Sequence, residues 1–275
     1  MIAFMLICYN KCEENMKKAY YFDLDNTLFF NDEGRILPNT LKLLYELKKQ
    51  PDTILGLATG RSLEKLTIIK DIIPFFDHMV LINGAMLYIN GTLVHDTPIS
   101  IKDIEYVFTI LKDTNINIGM VSEKDDAILY PDARVDHAMQ TLRGIHPIVD
   151  PQFYLNQRIY QLWMFADSDD DIQAVAHKLT QFNCFPWHVG GADFIYPHVH
   201  KASGIKYLRH LDPYDQLITV GDGLNDVSMI KLADIGIAMD NSRFDALKKE
   251  ATFIAPHIKY DLLYEFFIKH QLILT

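Results

Sequence analysis

Basic residues are in deficit: 26 Lys and Arg stand against 36 Asp and Glu, a formal net charge of −10. That balance argues against non-specific binding to nucleic acid or to an anionic membrane surface. Cysteine is scarce too. Cys8, Cys12 and Cys184 form neither an even disulfide framework nor a metal-ligand spacing, so they are expected as reduced thiols in the cytoplasm. No apolar run approaches the ~20 residues that a membrane-spanning helix needs. Residues 1–8 are apolar but have no basic stretch before them, and polar residues 10–18 follow. They are expected as an N-terminal arm, preceding a start at Met16, and not as a signal peptide. Internal repeats and low-complexity segments are absent as well. What remains is the composition of an ordinary soluble globular protein, 49% apolar and 23% charged. Its length suffices for one large domain or two moderate ones.

The stretch around which the rest is arranged is Tyr20-Tyr21-Phe22-Asp23-Leu24-Asp25-Asn26-Thr27-Leu28. An aromatic, apolar strand ends abruptly in two carboxylates one residue apart. A helix opens near Pro38, and a second apolar strand, Ile54 to Ala58, runs into Thr59-Gly60-Arg61-Ser62 and a helix expected over Ser62 to Ile73. His78 to Ile82 reads as a third strand closed by Asn83-Gly84. Strands alternating with helices imply a parallel sheet with right-handed crossovers. From Ala85 the pattern changes: a hairpin turns at Asn90-Gly91, and helices and strands alternate to a second hairpin around Gly190-Gly191. This middle section reads as a separate α+β layer inserted into the first. Within it the acidic run Asp167 to Asp171 suits a helix N-terminus and is not read as a metal site. After His200-Lys201 the alternation resumes, and the strand Leu217 to Val220 ends in Gly221-Asp222-Gly223-Leu224-Asn225-Asp226.

In a parallel sheet all carboxyl-terminal strand ends lie along one edge, so Asp23, Asp25, Thr59, Asp222 and Asp226 converge there. Four carboxylates at one edge repel one another unless a cation lies among them. Oxygen ligands without thiolates or a histidine triad favour Mg²⁺ over Zn²⁺. Lys201 supplies a positive charge to face an anion, while the Thr59 hydroxyl and the backbone N–H groups after it suit phosphate oxygens.

These segments, Asp23-Leu24-Asp25-Asn26-Thr27-Leu28, Thr59-Gly60-Arg61, Lys201 and Gly221 to Asp226, resemble in order the four motifs of the haloacid-dehalogenase superfamily. The large insert between the second and third motifs resembles the Cof-type branch. The resemblance implies an α/β fold: a Rossmann-like parallel-sheet core (residues 1–82 and 199–275) and a type IIB α+β cap (83–198) that sets substrate specificity. It implies that Asp23 attacks phosphorus and becomes a transient aspartyl phosphate, with Asp25 as acid and then base. Thr59, Gly60 and Lys201 would hold the phosphoryl group, with Asn225 orienting its neighbours. Mg²⁺ would sit on Asp23, Asp25 (through its carbonyl), Asp222 and Asp226. Asn26, Ala202 and Asp240 stand where glycine is usual in the family, and Asp240 would add a carboxylate near the same edge.

In the insert, Trp187, His188, Asp193, Tyr196, His198 and His200 form an aromatic and imidazole-rich group. Trp187, Asp193 and His198 are the candidate substrate contacts, against a plain reading of the aromatics as core and the histidines as surface. Arg134, Arg143 and Arg158 are candidates for a second anionic contact. The expected function is a Mg²⁺-dependent phosphatase of small phosphorylated metabolites, sugar phosphates first, as a monomer or homodimer. The alternatives are a phosphomutase or phosphotransferase of the same superfamily and a non-catalytic sensor of a phosphorylated ligand.

Overall fold

A computed structural model describes residues 16–140 and 146–273. Cys8, Cys12 and Arg143 lie outside the described residues, as does the apolar N-terminal arm.

Strand β1 (Lys18–Phe22) leads into a small hairpin, β2 (Phe29–Phe30) with β3 (Arg35–Ile36). Strands β4 (Thr53–Ala58) and β5 (His78–Leu81) follow, then β6 (Met86–Ile89) and β7 (Thr92–Asp96). The insert contributes β8 (Asn117–Val121), β9 (Asp126–Ile128), β10 (Ile148–Val149), β11 (Gln161–Phe165), β12 (Asn183–His188) and β13 (Gly191–Ile195). The chain then closes with β14 (Gln216–Gly221), β15 (Ile235–Met239) and β16 (Phe253–Ala255).

The larger sheet has the order β16-β15-β14-β1-β4-β5-β6-β7, parallel from β16 to β5. Alternation in β1 shows why it is central. Tyr20 and Phe22 join a cluster with Leu43, Leu44 and Phe267, from helices Pro38–Lys49 and Leu263–Lys269. Ala19 and Tyr21 join the opposite cluster with Ile205 and Leu208 of helix Lys201–Leu211. Successive strand residues face opposite layers, so a strand covered on both faces is apolar at every position. Helix Lys201–Leu211 lies close against the sheet because Gly204 has no side chain; a Cβ there would stand 2.7 Å from Leu87 and 2.8 Å from Val80.

The hairpin β6–β7 departs from the expected boundary at residue 83. β6 pairs antiparallel with β5 and β7 with β6, so Met86 to Asp96 extends the larger sheet. Leu87 packs with Val80 and Ala202 in the larger sheet's own core, which fixes its place. The chain therefore leaves for the smaller sheet after Asp96, not at Asn83-Gly84, and returns ahead of Lys201. Ile82, Asn83 and Gly84 make the reversal from β5 to β6 with φ values of 48°, 54° and 108°. A Cβ on Gly84 would meet the His200 carbonyl oxygen at 2.5 Å, so only glycine fits.

The smaller sheet has the order β10-β9-β8-β11-β13-β12. Leu162 and Met164 of β11 point to its own helices, Ile101–Leu111 and Asp169–Lys178, while Trp163 and Phe165 join the larger sheet's cluster. Ser168 caps helix Asp169–Lys178, accepting from the Asp171 N–H, as the acidic run suggested. The helix expected over Ser62 to Ile73 is a 3₁₀ helix, Leu63–Ile69. Its three β-branched residues, Thr67, Ile68 and Ile69, disfavour an α-helix, and Pro74 follows shortly. Among the described residues no helix is long and apolar enough to cross a membrane.

Candidate active site

Because β14, β1 and β4 are neighbours, the residues that follow them meet at one edge. The Asp23 N–H continues the ladder by donating to the Val220 carbonyl at 2.9 Å, which carries its carboxylate just past the sheet. Asp23, Asp222 and Asp226 each bring one carboxylate oxygen within 4.8 Å of the others. Lys201, wholly buried, donates from Nζ to Asp23 Oδ1 at 2.6 Å and to Asp226 Oδ1 at 2.5 Å. Asp226 Oδ2 accepts the backbone N–H groups of Asp222 and Gly223 at 2.9 and 2.8 Å. Asp226 thus spends both oxygens on holding the lysine and the loop. Asn241 Nδ2 donates to the Asn26 carbonyl at 2.9 Å, and Asn26 itself sits at φ 58°, a left-handed conformation that asparagine tolerates in glycine's place.

Burial is the first reason that the Asp23 carboxyl is pushed up to about 7; the charge of Asp226 adds to it and Lys201 opposes it. Asp222 is raised well above the usual carboxylate range by burial, then by Asp23 and Asp226. For Lys201 burial works against the charge, but Asp226 and Asp23 outweigh it and its pKa is raised. One lysine therefore does not balance three carboxylates, and a hard divalent cation fits this oxygen set.

Asp25 is held by Arg61, whose Nε and Nη2 donate to its two oxygens at 2.8 Å each. The Arg61 N–H donates to Thr59 Oγ1 at 3.1 Å, which leaves the hydroxyl its own proton to donate. On the other side, Asn225 Nδ2 donates to Asn83 Oδ1 at 2.8 Å, and Asn83 Nδ2 donates to Gln161 Oε1 and Asp193 Oδ2 at 2.8 and 2.9 Å. Burial pushes Asp193 up to about 7, against the hydrogen bond from Asn83.

Asp23, Asp25, Thr59, Gly60, Asp222 and Asn225 line one cavity of about 390 Å³, and Trp187 and Asp193 close it from the smaller sheet. Lys201 stands behind Asp23. His198 is a correction: it is exposed, its ring stacks on Tyr196 at 5.4 Å, and it does not line the cavity. His200 is the N-cap of helix Lys201–Leu211, its Nδ1 accepting from the Ser203 N–H, so an imidazole that looked available serves the fold. Arg134 is engaged with Asp132 and Arg158 with Asp96, both away from the cavity. Asp240 does not reach the cavity either; it is exposed, with Lys248 at 3.8 Å.

Sequence reasoning gave no role to Arg61, and none at all to Lys65, Gln161, Trp163 or Arg243, which also line the cavity. Lys65 Nζ pairs with Asp126 of the smaller sheet at 2.6 Å, with both side chains buried, and lies 5.2 Å from the Trp163 ring centroid. Gln161 carried a signal: a polar residue opening the buried run Leu162-Trp163-Met164-Phe165 needs a partner.

A family model described as haloacid dehalogenase-like hydrolase matches residues 20–267. The chain belongs to that family. A Bacillus subtilis protein with a phosphatase name, YkrA, is 26% identical over 252 residues, covering 89% of this chain and 94% of its own. A Streptococcus pyogenes protein named for phosphatase and peptidyl-prolyl isomerase activities is 26% identical over 250 residues, 89% of this chain. The chain spans about half (52%) of that relative's length. Among solved structures, a subclass IIB sugar phosphatase of the family superposes with a TM-score of 0.84 at 20% identity, covering 93% of this chain and 100% of that one. The haloacid-dehalogenase fold, with an inserted second sheet as in subclass IIB, is thus shared across the chain. As a member of this family the protein is an enzyme, a hydrolase, and relatives matched over 89% of it carry phosphatase names.

Proposed function

We propose that the protein hydrolyses phosphomonoesters of small metabolites through a phosphoryl group held for a time on Asp23. One observation carries the reading: two carboxylates, Asp23 and Asp25, face one cavity, the first gripped by Lys201 and the second by Arg61. An Asp23 oxygen attacks phosphorus while the bond to the leaving oxygen breaks, and Asp25 gives that oxygen a proton. Water then attacks the same phosphorus, Asp25 takes its proton, and the bond to Asp23 breaks to release inorganic phosphate. Thr59 donates its hydroxyl, and Gly60 its N–H, to the phosphoryl oxygens. Lys201 offsets the charge that would otherwise keep a carboxylate from a phosphate dianion.

Asp23, Asp222 and the Asp25 carbonyl would hold Mg²⁺, with Asp226 supporting them through Lys201 and the Asp222–Gly223 backbone. When bound, the ion supplies the positive charge that three clustered carboxylates lack. The smaller sheet acts as the cap that selects the leaving group. Trp163, Trp187 and Phe244 offer apolar faces, and Gln161 and Asp193 offer hydrogen bonds, a combination that suits a sugar phosphate. A cytoplasmic setting is part of the same reading and rests on the scarcity and spacing of cysteine in the sequence. The test is a panel of phosphorylated metabolites assayed with Mg²⁺ for release of inorganic phosphate. A phosphomutase would release none from a single substrate, and a sensor none from any. Either result would overturn the reading.

A further inference from the structure

Asn83 belongs to no recognised catalytic motif, yet beside the site its side chain joins the two sheets by direct hydrogen bonds. It is 1% exposed, and three consecutive left-handed residues, Ile82, Asn83 and Gly84, deliver it there. A β-branched residue such as Ile82 rarely adopts that conformation, so the surrounding structure imposes it. The imposed turn is tied to the phosphate-binding loop: the Ile82 N–H donates to the Arg61 carbonyl at 3.1 Å and the Asn83 N–H to the Thr59 carbonyl at 3.0 Å.

The side chain is fully committed. A carboxylate only accepts, so the Asn83 amide nitrogen faces Asp193, and its second hydrogen goes to Gln161 Oε1. The amide oxygen is left to accept from Asn225. An asparagine that merely closed its own turn would bond to nearby backbone. Here all three partners are side chains remote in sequence, one from the larger sheet's acidic loop and two from the smaller sheet. Asn225 precedes Asp226, which grips Lys201, while Gln161 and Asp193 wall the cavity.

We propose that Asn83 is a positioning residue: its amide locks the smaller sheet over the cavity in one register and holds Asn225, and through it the acidic loop, in the same arrangement. The assignment of what is positioned rests on the phosphatase reading; the lock itself does not.

Exchanging the two partners tests it in the full chain. Well above pH 7, where the Asp193 carboxyl is ionised, Asn83→Asp keeps shape and left-handed tolerance but turns both donors into acceptors opposite Asp193 and Gln161. Adding Asp193→Asn restores a donor facing an acceptor, and the Gln161 amide can rotate to donate as well. The chain's only two tryptophans, Trp163 and Trp187, both line the cavity, so acrylamide quenching of their emission reads the seating of the smaller sheet without any assay of activity. Quenching should rise in Asn83→Asp and return to the wild-type value in the double exchange. With an active substrate, kcat should fall on the order of 100-fold in Asn83→Asp; recovery in the double exchange is read from the quenching alone, because Asp193 also faces the substrate. If Asn83→Asp does not fold, the double exchange should, as read by circular dichroism. Wild-type quenching in Asn83→Asp, or a double exchange no better than the single one, overturns the proposal. A wild-type protein that releases no phosphate while quenching follows the exchange instead removes the phosphatase reading and leaves the lock.

Discussion

Arg61 holds both oxygens of Asp25 in parallel 2.8 Å hydrogen bonds, from Nε and Nη2, although the two residues lie 36 positions apart. The guanidinium is 4% exposed, so the fork is rigid and the carboxylate it grips cannot rotate freely. An acid–base group works only when aimed at the atom that takes the proton.

Arg61→Lys keeps a charge but loses the planar fork. We expect kcat for an alkyl phosphate to fall on the order of 100-fold, the lower end of what acid–base catalysis contributes. The loss should be smaller for p-nitrophenyl phosphate, whose leaving group needs little protonation. Comparing kcat for the two esters checks this. Equal losses would mean that Arg61 serves binding and not the orientation of Asp25.

Asp23→Asn should abolish phosphate release while the protein remains folded. The amide oxygen can still accept from Lys201, so the buried lysine keeps a second partner beside Asp226. Phosphate release at a substantial fraction of the wild-type rate, by a variant with wild-type circular dichroism, would eliminate Asp23 as the nucleophile.

How far this was legible in the sequence follows from the range of the interactions. Past their first residues, strands β1, β4 and β14 are buried and mostly apolar and run into polar residues, so their shared edge could be read from order alone. The hairpin Met86 to Asp96 was legible as a hairpin from Asn90-Gly91, but a tight turn does not say which sheet receives it. That depends on Leu87 packing against Val80, a contact outside the local pattern. β9 and β10, of three and two residues, are too short to show a period. The partners of Arg61, Lys65 and Asn83 lie 36 to 142 residues away, where spacing carries no signal. His198, a candidate contact, lies exposed and His200 caps a helix, because residue type alone does not separate a ligand from a surface or capping imidazole.

Metal should show itself in stability as well as in rate. Chelation should silence the enzyme and Mg²⁺ restore it, whereas Ca²⁺, with longer bonds and more ligands, should substitute poorly. Because the ion binds only the folded cluster, Mg²⁺ should also raise the melting temperature of chelator-treated protein. Asp222→Asn should shrink that rise. An unchanged melting temperature over millimolar Mg²⁺, together with full activity in chelator, would exclude the ion.

Asp193 predicts a pH dependence of stability with a definite sign. Burial raises its carboxyl from 3.8 to about 7, so between those values the folded state retains a proton that the unfolded state has lost. This group's contribution to stability is therefore greatest below pH 3.8, falls as pH rises towards 7, and is level above. Asp193→Asn removes the slope, and its amide oxygen can still accept from Asn83. The melting temperature of the variant relative to wild type should be more favourable at pH 8 than at pH 5, measured in chelator. A difference that is the same at both values would show that Asp193 titrates normally in the folded protein.

The assignment of specificity to the smaller sheet can be tested by removing it, and the structure sets where to cut. Excision from residue 85 would strip β6 and β7 from the larger sheet and expose Val80 and Gly204, which Leu87 covers. The cut belongs after β7. The Thr97 N–H donates to the Ala85 carbonyl at 2.8 Å, and Gly84 abuts the His200 backbone, so the departing and returning chains lie side by side. A short Gly-Ser bridge from Thr97 to Val199 should therefore close without strain. Removing the smaller sheet also leaves Lys65 without Asp126 and Asn83 without Gln161 and Asp193. Lys65 becomes solvent-exposed in the excised protein, so its charge needs no replacement partner. We expect the remaining sheet to fold, to bind metal, and to hydrolyse small activated phosphate esters slowly without preference among natural phosphomonoesters. The comparison to make is the substrate profile of the excised and intact proteins, after circular dichroism confirms a folded core. An unchanged preference would place selection of the leaving group in the larger sheet, with Asn31, Lys65, Arg243 and Phe244 among the cavity residues left to supply it.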